Sequence, residues 1–204
     1  MILIGYSGHS YVVNGILQAL GKKVTGYCDF ELKEKNPYLL NYIGKELSDK
    51  GIRALSENEF FIAIGNNITR RNIFCELALR NLFPVNIIHP GTIIDPSVKL
   101  AKNGVMVAPN VTINALAYVG EGVICNTGCI IEHECQIGDF AHIGPGAVLC
   151  GNVHVGENSF VGAKSVVREG IKIGKNVIIG AGSVVVKDIP DNSKVAGNPA
   201  RPLS

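Results

Sequence analysis

Ile137-Gly138-Asp139-Phe140-Ala141-His142 is followed by Ile143-Gly144-Pro145-Gly146-Ala147-Val148 and then by Leu149, so that an aliphatic residue returns at every sixth place. Stepping by six in both directions gives Val107, Ile113, Val119, Cys125, Ile131, Ile137, Ile143, Leu149, Val155, Val161, Val167, Ile173, Ile179 and Val185, a series broken only by one cysteine. The next position is often glycine, as at Gly120, Gly138, Gly144 and Gly162, and the fourth beyond the aliphatic is small or β-branched, as at Ala141, Ala147, Val153 and Ser159. A period of six is the signature of a parallel β-helix, in which each short strand buries its aliphatic against the strands of neighbouring coils. With three hexapeptides to a triangular coil, residues eighteen apart stack on one face and the aliphatics fill the prism. Upstream, Ile94 and Leu100 keep the step, with one extra residue before Val107, so the coil is expected to begin near Ile93.

The preceding residues obey another rule. Met1 to Gly5 is an apolar run, Ser10 to Leu20 reads as a helix and Val24 to Cys28 as a second strand, a β-α-β opening. Phe60 to Ile64 is a third strand, followed by Gly65-Asn66-Asn67 and a helix to about Asn81, and Pro84 to Ile88 reads as one strand more. The charged stretch from Glu31 to Asn58 gives only weak signals. The expected organisation is a small, mostly parallel, Rossmann-like α/β domain over residues 1–92 and a β-helix with a C-terminal tail over 93–204.

Composition narrows the function classes. A net charge of +2, 6% aromatic residues and no Lys/Arg run leave nothing that resembles a nucleic-acid surface. No apolar run approaches the roughly 20 residues of a membrane span, and Met1 to Gly5 lacks the basic start of a signal peptide. The six cysteines form no C-x-x-C pair, which points to reduced, buried thiols and a cytoplasmic setting.

Candidate chemistry sits at strand ends. Gly5-Tyr6-Ser7-Gly8-His9-Ser10 is a glycine-bearing turn opening onto a helix, whose free N–H groups favour phosphate oxygens, or else a plain tight turn. Asp29 after the second strand and Gly65 after the third would share the crevice of such a sheet, which suits a nucleotide. In the coil, Ile131-Glu132-His133-Glu134 sets a histidine between carboxylates at a turn. A carboxylate neighbour raises imidazole basicity, as a general base near neutral pH requires, although a charged turn can also carry a surface histidine. Gly151 lies eighteen residues after His133, one coil away, and its N–H is a candidate oxyanion donor. Ala163 and Ala181 are also eighteen apart, small side chains stacked to leave a slot. His133, His142 and His154 are nine and twelve apart, so they form no column of metal ligands and no metal is expected.

Gly5-x-Ser7-Gly8-His9, the run Phe60 to Asn67, Asn126-Thr127, Ile131 to Glu134 and the terminal Val195-Ala196-Gly197-Asn198-Pro199-Ala200-Arg201 together resemble the sialic acid O-acetyltransferase-like family of hexapeptide acyltransferases. The resemblance covers nearly the whole chain. It implies a left-handed coil, a homotrimer with active sites between subunits, acetyl-CoA as cosubstrate and a UDP-linked 4-amino-4,6-dideoxy sugar of bacillosamine type as acceptor. It further implies His133 as general base, Glu134 as the residue that raises its basicity and Asn126 beside them. Ser7, Gly8, His9, Asp29 and Gly65 would contact the nucleotide sugar, and His142, Ala163 and Ala181 the acetyl-CoA. The Glu31 to Asn58 segment is longer than in the bacillosamine members, which leaves the sugar and nucleotide less defined than the reaction. O-acetylation of sialic acid or another sugar hydroxyl, and a nonenzymatic trimeric binding module, are the competing readings.

Overall fold

The computed structural model describes residues 1–203. Its N-terminal unit is a four-stranded parallel sheet with strands β1 (Ile2–Ile4), β2 (Gly26–Cys28), β3 (Asn41–Gly44) and β4 (Phe60–Ile62), ordered β3-β2-β1-β4. Helices α1 (Gly8–Ala19), α2 (Asp49–Glu57) and α3 (Asn67–Ala78) connect or follow them. The first three strands to be expected are present, shortened at their ends. The segment from Glu31 to Asn58 supplies the edge strand β3 and the helix α2, whose Ser48 cap accepts the Gly51 N–H at 3.2 Å. Both elements are short, β3 with three of its four residues half-buried and α2 with only Gly51 and Leu55 fully buried.

The coil has three parallel faces, with strands of about two residues. The first face carries Ile87–Ile88, Met106–Val107, Ile124–Cys125, His142–Ile143, Phe160–Val161 and Ile178–Ile179 in order, then the tail strands Lys194–Ala196 and Arg201–Pro202. The second runs from Ile93–Ile94 through Ile130–Ile131 and Val148–Leu149 to Val184–Val185, and the third from Lys99–Leu100 through Gln136–Ile137 to Lys172–Ile173. From Met106 to Val185 partners are eighteen residues apart, as Ile131 with Leu149 and Val161 with Ile179, whereas the first coil pairs at nineteen, as Ile93 with Thr112. The aliphatic series is buried throughout. Ile87–Ile88, read from sequence as a strand of the α/β domain, instead pairs with Met106–Val107 as the coil's first rung. The irregular spacing between Ile88 and Val107 hid that rung.

Each corner places the third residue after the aliphatic in the left-handed region. Most of these residues are Asn or Gly, such as Asn110, Gly128, Asn152 and Asn176, which adopt it at little cost. Leu116 (φ 62°), Glu134 (φ 61°), Phe140 (φ 57°) and Lys164 (φ 59°) are exceptions. The Phe140 ring is spent on docking: it lies edge-on to Phe74 of α3, with centroids 5.2 Å apart.

Arg70 bolts the two units together. It is 1% exposed and has no carboxylate partner among the described residues, yet its donors are satisfied by neutral oxygens. Nε donates to Gly122 O (2.7 Å), one terminal nitrogen to Ile64 O (3.1 Å) and Gly65 O (3.2 Å), and the other to Asn67 Oδ1 (3.1 Å) and Phe140 O (2.8 Å). Asn67 Nδ2 adds a bond to Asn158 O at 2.9 Å. Burial lowers the guanidinium to about 9, which still leaves it charged at neutral pH.

All six cysteines are free thiols. Cys28, Cys125, Cys129 and Cys135 are buried, but Cys75 is exposed on α3 and Cys150 is half-buried, so burial does not hold for every cysteine. No helix among the described residues is long and apolar enough to cross a membrane.

Candidate active site

The residues singled out from the sequence fall into three groups. The first lines the crevice at the strand ends of the α/β unit. Gly5 turns the chain after β1 with φ 87°, and a Cβ there would lie 2.6 Å from Ile64 Cγ1, so both backbone and space require glycine. The loop then enters α1 at Ser7, whose side chain caps no N–H, leaving the helix start open. A cleft of about 640 Å³ opens in front of it and includes Ser7, Asp29 and Gly65 in its wall. Gly8 lies in an adjoining shallower recess with Ser7 and Lys33. The Asp29 carboxylate is already engaged: Oδ2 accepts the Tyr6 N–H at 2.8 Å and Oδ1 pairs with Lys33 Nζ at 3.0 Å. It therefore braces the loop after β1 from the end of β2.

The second group forms where this crevice meets the first face of the coil. His142 is 8% exposed, with its ring 6.2 Å from that of His9 and 5.0 Å from that of Phe160. Asn126 Oδ1 accepts the Thr127 N–H at 2.8 Å, which turns its amide nitrogen toward His142 Nε2 at 3.0 Å. His142 Nε2 is thus an acceptor and the ring is neutral. Burial first, then the Arg70 charge and the His9 ring, hold His142 down to about 3. Burial and Arg70 likewise lower His9 to about 4. The His9 ring packs beside Gly65, and its Nε2 is buried without a partner among the described residues. Arg70, whose charge adds to burial in making both histidines poor bases, carries no motif and went unnoticed in the sequence. Only its place in a helix next to the Gly65 turn could have drawn attention to it.

The third group stands at another corner. His133 Nδ1 lies 3.1 Å from Glu134 Oε2, and both side chains are more than half exposed. Glu134 reaches back because its backbone is left-handed, a conformation held by its N–H bond to Ala115 O at 2.9 Å. One coil further on, Gly151 forms the seat of the imidazole: a Cβ there would fall 2.5 Å from both Cε1 and Nε2 of His133. The Gly151 N–H has no acceptor among the described residues. The second-third corner that carries His133, Glu134 and Gly151 is separated from the first-second corner that carries Asn126 by six residues of chain, roughly 20 Å when extended. Asn126, expected beside His133, is therefore beside His142 within one chain. Ala163 and Ala181 share Asn126's corner and stack, with the Gly182 N–H donating to Ala163 O at 2.8 Å. Among the described residues no three His, Cys, Asp or Glu side chains converge as metal ligands.

A nucleotide-type crevice set against a hexapeptide β-helix, with a histidine–carboxylate pair at a coil corner, defines the architecture of β-helix acyltransferases with an N-terminal substrate domain. Residues 1–77 match the family model described as PglD N-terminal domain, and residues 152–187 match the bacterial transferase hexapeptide model. The chain is similar to a perosamine N-acetyltransferase from Caulobacter crescentus, solved as a mutant with CoA and GDP-perosamine: 35% identity, 100% of this chain, 96% of that one, TM-score 0.92. It is also similar to the acetyltransferase domain of PglB from Neisseria gonorrhoeae in complex with acetyl coenzyme A, with 33% identity, 99% and 98% coverage and TM-score 0.87. A GDP-perosamine N-acetyltransferase from Escherichia coli O157:H7 is 31% identical over 130 residues, which span 61% of this chain and 49% of that protein. The chain belongs to the PglD-like family of hexapeptide-repeat acyltransferases, the family that its motifs resemble.

Proposed function

We propose that the protein is a cytoplasmic, acetyl-CoA-dependent N-acetyltransferase that acylates the amino group of a nucleotide-linked amino sugar, in active sites formed between subunits of a homotrimer. The observation that carries this reading is the His133–Glu134 pair, braced over Gly151 with Nε2 turned away from the carboxylate. In it Glu134 orients the ring, and Nε2 takes the proton of the attacking amine. As the amine nitrogen bonds to the thioester carbonyl, the Gly151 N–H meets the developing oxyanion. Collapse breaks the C–S bond, and the proton on His133 passes to the departing thiolate. No covalent enzyme intermediate is needed.

The split between corners supports the trimer. His133 is remote from His142, Asn126, Ala163 and Ala181 in its own chain, so a neighbour's second-third corner must approach this chain's first face to complete a site. Neutral His142 and Asn126 then hold the thioester or acceptor by hydrogen bonds, and the stacked alanines leave room for the pantetheine arm. The perosamine N-acetyltransferases among the relatives favour an amino acceptor, and GDP-perosamine sets GDP beside the UDP expected from sequence.

Thiol release from acetyl-CoA, with GDP- and UDP-linked 4-amino-4,6-dideoxy sugars beside their 4-hydroxy analogues and free sialic acid, tests the reading. Release with an amino sugar alone is the expected result. Release confined to hydroxyl acceptors would move the protein to O-acetylation, and no release with any acceptor together with no acetyl-CoA binding would leave a binding module.

A further inference from the structure

The crevice holds a carboxylate that the assigned residues do not account for. Glu46, between β3 and α2, lines the same 640 Å³ cleft as Ser7, Asp29 and Gly65. Unlike Asp29, it accepts no hydrogen bond and makes no ion pair among the described residues. Its charge contributes, after burial, to pushing the Cys28 thiol up to about 11, which places it at the end of β2, where an open parallel sheet receives its ligand. Beside it Phe30 is 75% exposed, an unusual position for a phenyl ring, and lines the same cleft. Lys45 Nζ lies 4.2 Å from the Phe30 ring centroid and covers one side of the ring. The other side is free to take a flat partner.

We propose that Phe30 and Glu46 form the base-reading end of the crevice and that the base is guanine, an assignment that rests on the nucleotide-sugar reading above. A carboxylate offers two acceptors side by side and no donor. Guanine presents two adjacent donors, N1–H and the exocyclic N2–H, and can engage both oxygens. Uracil presents one N–H flanked by two carbonyls, which repel a carboxylate, and adenine sets a ring acceptor beside its amino group. The charge-assisted pair therefore selects guanine, while stacking on Phe30 serves any base. The selecting residue comes from the Glu31 to Asn58 segment, between β3 and α2.

The test is titration of the full-length protein with GDP, UDP and ADP in the absence of acetyl-CoA. GDP should bind at least tenfold more tightly than UDP or ADP, about what one bidentate base contact supplies. Glu46→Gln should reduce the GDP-to-UDP affinity ratio by about tenfold or more; the ratio is the readout because loss of a negative charge strengthens binding of every diphosphate alike. Phe30→Ala should weaken all three nucleotides together. UDP binding as tightly as GDP, or a ratio unmoved by Glu46→Gln, overturns the assignment while leaving acetyl transfer intact. If none of the three binds, the nucleotide-sugar reading itself falls.

Discussion

Replacing Gly151 by alanine isolates the seating of the proposed base. The Gly151 backbone lies outside the left-handed region, so the methyl group strains nothing locally. Its nearest contacts are all with the His133 ring, at 2.5 Å from Cε1 and Nε2. Carbon atoms rest at about 3.5–4.0 Å, so the ring must retreat by about 1 Å or more. His133 is half exposed and can swing outward, which keeps the cost in stability within about 1 kcal/mol, partly offset by the stiffer unfolded chain. A reacting group displaced by about 1 Å loses on the order of 100-fold in rate, equivalent to about 2.7 kcal/mol of barrier. Steady-state thiol release at saturating acetyl-CoA and acceptor, run beside thermal melts, should show kcat falling by about that factor with Tm and KM nearly unchanged. A variant with kcat within twofold of the parent and an equal Tm would refute the reasoning, because a ring that can move without consequence is not positioned for proton transfer.

Further outcomes follow from other sites. Glu134→Gly relieves a left-handed residue and removes the carboxylate at once; stability should hold or rise by about 1 kcal/mol while turnover drops, as melts and kinetics on one preparation would show. Arg70→Met strands the carbonyls of Gly122 and Phe140 and should cost roughly 3 kcal/mol or more in denaturant unfolding. In any folded fraction it should also raise the pKa of His142 and His9, followed by imidazole NMR shifts. Both histidines titrate lower when folded, at about 3 and about 4, than near 6.5 when unfolded. Between these values the unfolded chain binds more protons, so stability is complete above about pH 6.5 and declines by a few kcal/mol toward pH 4. His142→Gln should flatten that decline in urea midpoints measured across the range.

The coil was legible because its rule is local. Every six residues an aliphatic turns inward, and neighbouring coils are related by a fixed offset, so Ile131 can be placed against Leu149 without knowledge of any distant contact. The same offset set Gly151 over His133 and Ala163 under Ala181. The left-handed corner positions are held mostly by Asn and Gly, and Glu134 is conspicuous against them. Less was legible in the α/β unit. β3 and α2 are edge elements with little buried surface, and they bring Glu46 into the crevice through a segment that sequence left unassigned.

The sequence by itself determined the period, hence the prism, its inward column and the stacking of residues one coil apart, because those depend on alternation and spacing along the chain. Tertiary structure alone decided which corner each group occupies, and so that Asn126 meets His142 and not His133. It also decided that Asp29 is spent on the Tyr6 N–H and Lys33 while Glu46 remains free, and that burial, with the Arg70 charge added to it, keeps His9 and His142 neutral. Those outcomes depend on desolvation and on hydrogen bonds between residues as far apart as Arg70 and Phe140, quantities that no local pattern of residues encodes.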